Sequence, residues 1–184
     1  KRATSVYLVD RTIPMLPERL CNFICSLRPN EEKLAYSVIF EMNEDAEVLK
    51  YRIAHTVIKS DRRFTYEEVQ HLLEEKGEAT ECQLILEGKA RPPEPVPAAE
   101  MEGKEVEPVS EEDAKMLIML NQFAKKLRAA RFKSGAINFD RYEVKFEIDE
   151  KGKPIGVYFK VAKEANKLIE EFMLLANRTV AEKI

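Results

Sequence analysis

"LAYSVIFEMNEDAEVLKYRIAHTVIK", residues 34–59, carries the clearest structural signal in the chain. Leu34, Tyr36, Val38, Phe40 and Met42 recur at every second position, the period of a strand with one apolar face. Asn43-Glu44-Asp45-Ala46 has the composition of a turn. Val48–Lys59 then returns, with Tyr51, Ile53, His55 and Val57 on one face and Ile58 near its end. The pattern predicts an antiparallel hairpin with one buried face.

Toward the N-terminus, residues 4–9 (Thr-Ser-Val-Tyr-Leu-Val) are rich in β-branched and aromatic side chains and read as another strand. Pro14 and Pro17 then stiffen the path and forbid regular structure for a few residues. Residues 18–26 suit a short helical turn. Toward the C-terminus, Thr65 can cap a helix from Tyr66 to about residue 76, with Glu68 at the third position of a capping box. Val69, Leu72 and Leu73 form its apolar stripe, and Gly77 stops it.

Residues 88–110, "GKARPPEPVPAAEMEGKEVEPVS", hold five prolines, many glutamates and no aromatic. They read as a solvated loop or linker within one domain. Ser110 with Asp113 opens a long helix to about Phe132, striped by Leu117, Leu120, Phe123, Ala124, Leu127 and Ala130. Ser134-Gly135 ends it. A second hairpin follows, from Val144–Ile148 through a Glu150-Lys151-Gly152 turn to Ile155–Phe159. A last helix spans about residues 162–182. Its run "FMLLA" at 172–176 is apolar on every side, which predicts central burial. The fold class is therefore α+β, with antiparallel strands and hairpins packed on long helices.

At 184 residues the chain is long enough for a substantial core. Its formal net charge of -3 provides no global basic field for nucleic acid, although a local groove remains compatible with it. Three cysteines, Cys21, Cys25 and Cys82, make no disulfide framework and point to a reducing, cytoplasmic compartment. Buried thiols are the expectation for them. No apolar run approaches the roughly 18 residues of a transmembrane helix, so no membrane partner is expected.

Ordinary catalytic motifs are missing. The two histidines, His55 and His71, lack a Cys, Asp or Glu at metal-ligand spacing. No Walker loop, dinucleotide turn or nucleophile elbow appears. Two features stand out. Glu170-Glu171 precedes the apolar run, and a carboxylate on a central helix must find a donor or stay protonated. Its alternative is a solvated face paired with Lys163 and Lys167 one turn back. The second feature is a set of aromatics at element edges, Tyr7, Tyr66 and Phe139, with Arg62 and Arg63 near Tyr66. Such a set suits base stacking beside phosphate contact, although most aromatics are core residues.

Taken in order, "TSVYLVDRTIPMLPERLCNFICSL", "SDRRFTYEEVQ", "GAINFD" and "ANKLIEEFMLLANRTVA" resemble the catalytic domain of the ribonuclease II and ribonuclease R family, and ribonuclease R more than ribonuclease II. That family consists of processive 3′-to-5′ exoribonucleases that degrade single-stranded RNA to nucleoside 5′-monophosphates. The resemblance implies that Tyr7 and Phe139 sandwich bases at the RNA 3′ end. It implies that Tyr66 stacks so as to help set the final product length, and that Glu170 is a carboxylate near the terminal nucleotides. It also implies that residues 1–184 are an interior part of a larger catalytic domain. The family's metal-binding aspartates lie upstream of its tyrosine strand, and its catalytic arginine lies downstream of its last helix. Neither the Mg²⁺ ligands nor a catalytic residue is therefore expected within this segment. Alone it is expected to be inactive, and its uncovered sheet edges invite a non-native dimer. The alternative is a non-catalytic RNA-binding or scaffold protein that retains the fold without the aspartates.

Overall fold

The computed structural model describes residues 3–8, 11–79, 109–137, 143–149, 153–160 and 162–184. The chain divides into two compact units, one of Lys1–Thr65, Phe146–Val157 and Leu175–Ile184, the other of Tyr66–Lys145 and Tyr158–Leu174.

In the first unit, β1 (Val6–Tyr7) pairs antiparallel with β2 (Thr12–Ile13), Tyr7 opposite Thr12. The expected six-residue strand is only two residues long. The chain turns back at once, with the Leu8 N–H donating to the Arg11 carbonyl at 2.8 Å. Beyond Pro17, Leu20–Ile24 forms a π-helical turn, closed by the Cys25 N–H on the Leu20 carbonyl at 2.9 Å. No residue of that turn is buried. Cys21 and Cys25 are consequently free and exposed, against the expectation of buried thiols. Cys82 lies outside the described residues.

The hairpin forms as the alternation predicts. β3 (Glu32–Met42) pairs with β4 (Val48–Lys59), placing Leu34 opposite Val57, Tyr36 opposite His55 and Phe40 opposite Tyr51. The Asn43 carboxamide oxygen accepts from the N–H groups of Asp45 and Glu47 at 3.0 and 2.9 Å, and Ala46 takes a φ of 62°. This Asx geometry makes the turn the sequence calls for. The expected buried face is only partly covered. Val38, Ile53 and Phe40 are half-buried, but Leu34 is 87% exposed at the open end of the hairpin. There the Tyr36 and His55 rings meet edge to face, with centroids 5.2 Å apart.

The second unit is helical at its centre. Helix α1 (Tyr66–Glu75) begins directly after Thr65 and ends at Gly77, whose φ of 71° suits a residue without a Cβ. Helix α2 (Glu111–Lys133) is capped by Ser110, whose hydroxyl accepts the Asp113 N–H at 3.1 Å. The Ser134 and Gly135 N–H groups close its other end. Helix α3 (Glu164–Lys183) starts in this unit. Leu72 and Leu73 of α1, Leu117 and Ala124 of α2, and Ala165 and Leu168 of α3 are buried. The second hairpin is present as β5 (Glu143–Ile148) paired with β6 (Pro154–Lys160).

The architecture is the α+β class read from the sequence, but α3 is not buried all round. Its buried positions are Ala165, Leu168, Glu171 and Thr179, a stripe at helical spacing, whereas Met173 is 59% exposed. Among the described residues, only one side of the helix is covered. Of the 88–110 loop, only Val109 and Ser110 are described; residues 88–108 lie outside the described residues.

Candidate nucleic-acid interface

Each sequence-predicted site residue has a different setting. Tyr7 ends β1 with 78% of its surface exposed, so its ring is free to receive a flat partner. Ser5 steadies the adjoining chain, its hydroxyl accepting the Met15 N–H at 3.0 Å, beside Pro14 and two residues before Pro17. Tyr66, the first residue of α1, is half-exposed and stands in the second unit. Glu170 is exposed on α3 in that same unit. Phe139 lies outside the described residues. Arg62 sets its guanidinium over the Phe64 ring, 4.6 Å from the centroid, and Arg63 is exposed.

The neighbouring Glu171 behaves as a carboxylate on a packed helix must. It is 4% exposed and receives two hydrogen bonds from Arg131 of α2, Nε to Oε2 at 3.1 Å and Nη2 to Oε1 at 2.5 Å. The bond to Glu171 raises the Arg131 pKa above its ordinary value, against the opposing effect of burial. Lys167, proposed from spacing as a helix-face partner for this pair, instead reaches Glu164 at 3.4 Å. Arg128 also approaches Glu164, at 3.6 Å. One carboxylate of Glu170-Glu171 is thus spent on packing, and the other is left facing solvent.

Sequence reasoning missed Arg131 and Gln70. Arg131 falls in register with Leu117, Asn121 and Ala124 on α2, and a charged residue continuing a buried stripe signals a buried partner. Gln70 sits between Val69 and Leu73 on the apolar side of α1. Its carboxamide oxygen accepts the N–H of Ala165 in the first turn of α3 at 3.1 Å. This bond brings the helices of Tyr66 and Glu170 together.

A cavity of about 410 Å³ opens between α1 and the start of α2, lined by Glu68, His71, Glu75 and Glu111 among others. Its carboxylates repel phosphate, so it does not suit the RNA backbone. Among the described residues, no three His, Cys, Asp or Glu side chains gather as a metal-holding group. The donors among the described residues do not fit a Mg²⁺ site, and no step through a metal follows from them. No helix of the described residues is long and apolar enough to cross a membrane.

Tyr7 of the first unit, and Tyr66 and Glu170 of the second, are each exposed to solvent. The RNB domain model matches residues 1–184, and the chain belongs to that family. It is 40% identical over 184 residues to DIS3-like exonuclease 2 of Schizosaccharomyces pombe, covering all of this chain and 18% of the relative. It is 38% identical over 183 residues to ribonuclease R of Thermotoga maritima, covering 99% of this chain and 22% of the relative. Among solved structures, it is similar to Mycoplasma genitalium RNase R in complex with ribose-methylated single-stranded RNA, with a TM-score of 0.75, 25% identity and coverage of 97% of this chain and 24% of that one. The same enzyme has also been solved with double-stranded RNA. The chain thus spans about a fifth of the length of these curated relatives.

Proposed function

We propose that residues 1–184 form part of the catalytic domain of a longer, cytoplasmic 3′-to-5′ exoribonuclease, and that they grip single-stranded RNA near its 3′ end. Tyr7 and Phe139 hold the terminal bases between their rings. Tyr66 stacks at the position that determines how short the last product becomes. Glu170 binds the terminal nucleotides through its carboxylate oxygens, which accept hydrogen bonds from sugar hydroxyls. The divalent metal of the reaction, Mg²⁺, is held by residues outside this chain, and the chemistry is completed there. Stacking does not depend on base identity, which suits an enzyme that must degrade any sequence.

The observation that carries this reading is the RNB match over the whole chain, and the exposure of Tyr7, Tyr66 and Glu170 supports it. The test uses the full-length protein carrying these residues, a 5′-labelled single-stranded RNA, and Mg²⁺ with and without EDTA. Metal-dependent accumulation of one very short product is expected. Intact RNA in every lane, with RNA binding retained, would overturn the enzymatic reading in favour of an RNA-binding scaffold.

A further inference from the structure

Gln70 is buried to 4% exposure, far from the polar role its side chain has on most helix surfaces. Both ends of its carboxamide are engaged. Oε1 accepts the Ala165 N–H at 3.1 Å, and Nε2 donates to Glu74 Oε1 at 2.7 Å. Ala165 lies in the first turn of α3, where N–H groups have no carbonyl of their own helix to reach. Gln70 therefore satisfies a buried orphan donor of one helix from the side of another. An unpaired buried donor is costly, so the bond holds the two helices in one register.

Its location gives the bond a further consequence. Tyr66 and Gln70 are four residues apart on α1 and so lie along one face, one turn from each other. Ala165 and Glu170 are five residues apart on α3, about 7.5 Å along its axis. The Arg131–Glu171 pair fixes α3 again beside Glu170. Helix α3 is thus held at Ala165 and at Glu171, on either side of Glu170, and the first of these anchors comes from the helix that begins with Tyr66.

We propose that Gln70 is a positioning residue: its bond to Ala165 sets the separation of Tyr66 and Glu170, and with it the length of the last RNA product. This rests on the roles proposed above for Tyr66 and Glu170. A substrate shortened until it no longer spans the two residues loses one of its contacts and is released. A slack joint between α1 and α3 lets that point vary.

The test is the end-product length of the full-length protein on 5′-labelled single-stranded RNA, together with KM, kcat and thermal stability. Gln70→Leu keeps the volume and removes both bonds. The expected result is a longer final product spread over several lengths, with KM on long RNA within about twofold of the parent. The exchange variant Gln70→Glu/Glu74→Gln restores an acceptor for Ala165 and a donor within α1, and it should return the single short product. A merely structural role would lower the melting temperature and leave the product of the surviving enzyme unchanged, which would overturn the proposal. If Gln70→Leu does not fold, Gln70→Asn, one carbon too short to reach Ala165, is read in the same way. Tyr66→Ala and Glu170→Ala run alongside. Altered product lengths in both, with no change in the Gln70 variants, defeat this inference alone. Unaltered lengths in both defeat the underlying assignment of roles.

Discussion

Arg131 of α2 and Glu171 of α3 meet in a two-pronged pair, Nε to Oε2 at 3.1 Å and Nη2 to Oε1 at 2.5 Å, with the carboxylate buried and the guanidinium side chain 32% exposed. The asymmetry in exposure predicts an asymmetry on mutation. Arg131→Met strands a buried anion, whereas Glu171→Met leaves a cation that water can still reach. Both should destabilise, Arg131→Met the more, and by less than the roughly 3–5 kcal/mol of a fully buried pair because water screens the arginine side. The double variant should lose less than the sum of the two. Denaturant unfolding of the four proteins in a double-mutant cycle measures this, and strict additivity would refute it.

Asn121 of α2 is 1% exposed, and its Nδ2 has no hydrogen-bond partner among the described residues. Burying an unpaired amide costs about 1–3 kcal/mol. Asn121→Leu, close in volume, should therefore be neutral or raise stability by up to that amount. Leu73→Ala, at a fully buried position beside the same helices, should cost about 2–5 kcal/mol. A loss for Asn121→Leu as large as that for Leu73→Ala would mean the amide has a partner after all.

These positions mark the limit of what local pattern could reveal. The β3–β4 hairpin was legible because strand alternation and an Asn-led turn are written in neighbouring residues. The ends of α1 and α2 were legible because Gly77 and Gly135 take positive φ. At Glu170-Glu171 the sequence left two readings open, a buried carboxylate with a donor and a solvated face; Glu171 takes the first and Glu170 the second, and the donor itself was not legible. Arg131 is 40 residues away, and Ala165 is 95 residues from Gln70. Nothing in the spacing along one helix specifies the side chain another helix brings to it. Cys21 and Cys25 went the other way. Their residue type favours burial, and the turn that carries them stands clear of the core.

Glu78, just beyond α1, receives the Gln122 carboxamide at 2.8 Å and Lys125 Nζ at 3.1 Å, and Lys125 also donates to the Glu78 carbonyl. These bonds, that from Gln122 first, hold the Glu78 carboxyl below its ordinary pKa of 4.5. A depressed folded-state pKa stabilises the protein above the unfolded value, and that stabilisation is lost as pH falls through the folded value. The melting temperature of Glu78→Gln should therefore fall short of the parent at neutral pH and converge with it in acid. A constant gap across the pH series would assign the difference to packing instead of charge.

Tyr7 combines high exposure with a strand of two residues, so its ring contributes little to the core. If it stacks on RNA, Tyr7→Ala should leave thermal stability unchanged. Binding of single-stranded RNA by the full-length protein should weaken by about 5- to 150-fold, the equivalent of roughly 1–3 kcal/mol of base stacking. Tyr7→Phe should retain most of the affinity, because the ring is kept and only the hydroxyl is lost. Pro14→Ala probes the same surface indirectly. Pro14 adjoins Met15, whose N–H is held by Ser5 two residues before Tyr7. Freeing that φ should raise KM for RNA more than it lowers kcat, since a looser stacking wall weakens substrate binding without touching the reacting bond. Equal affinity in parent and Tyr7→Ala would remove Tyr7 from the RNA path, whatever Pro14→Ala does.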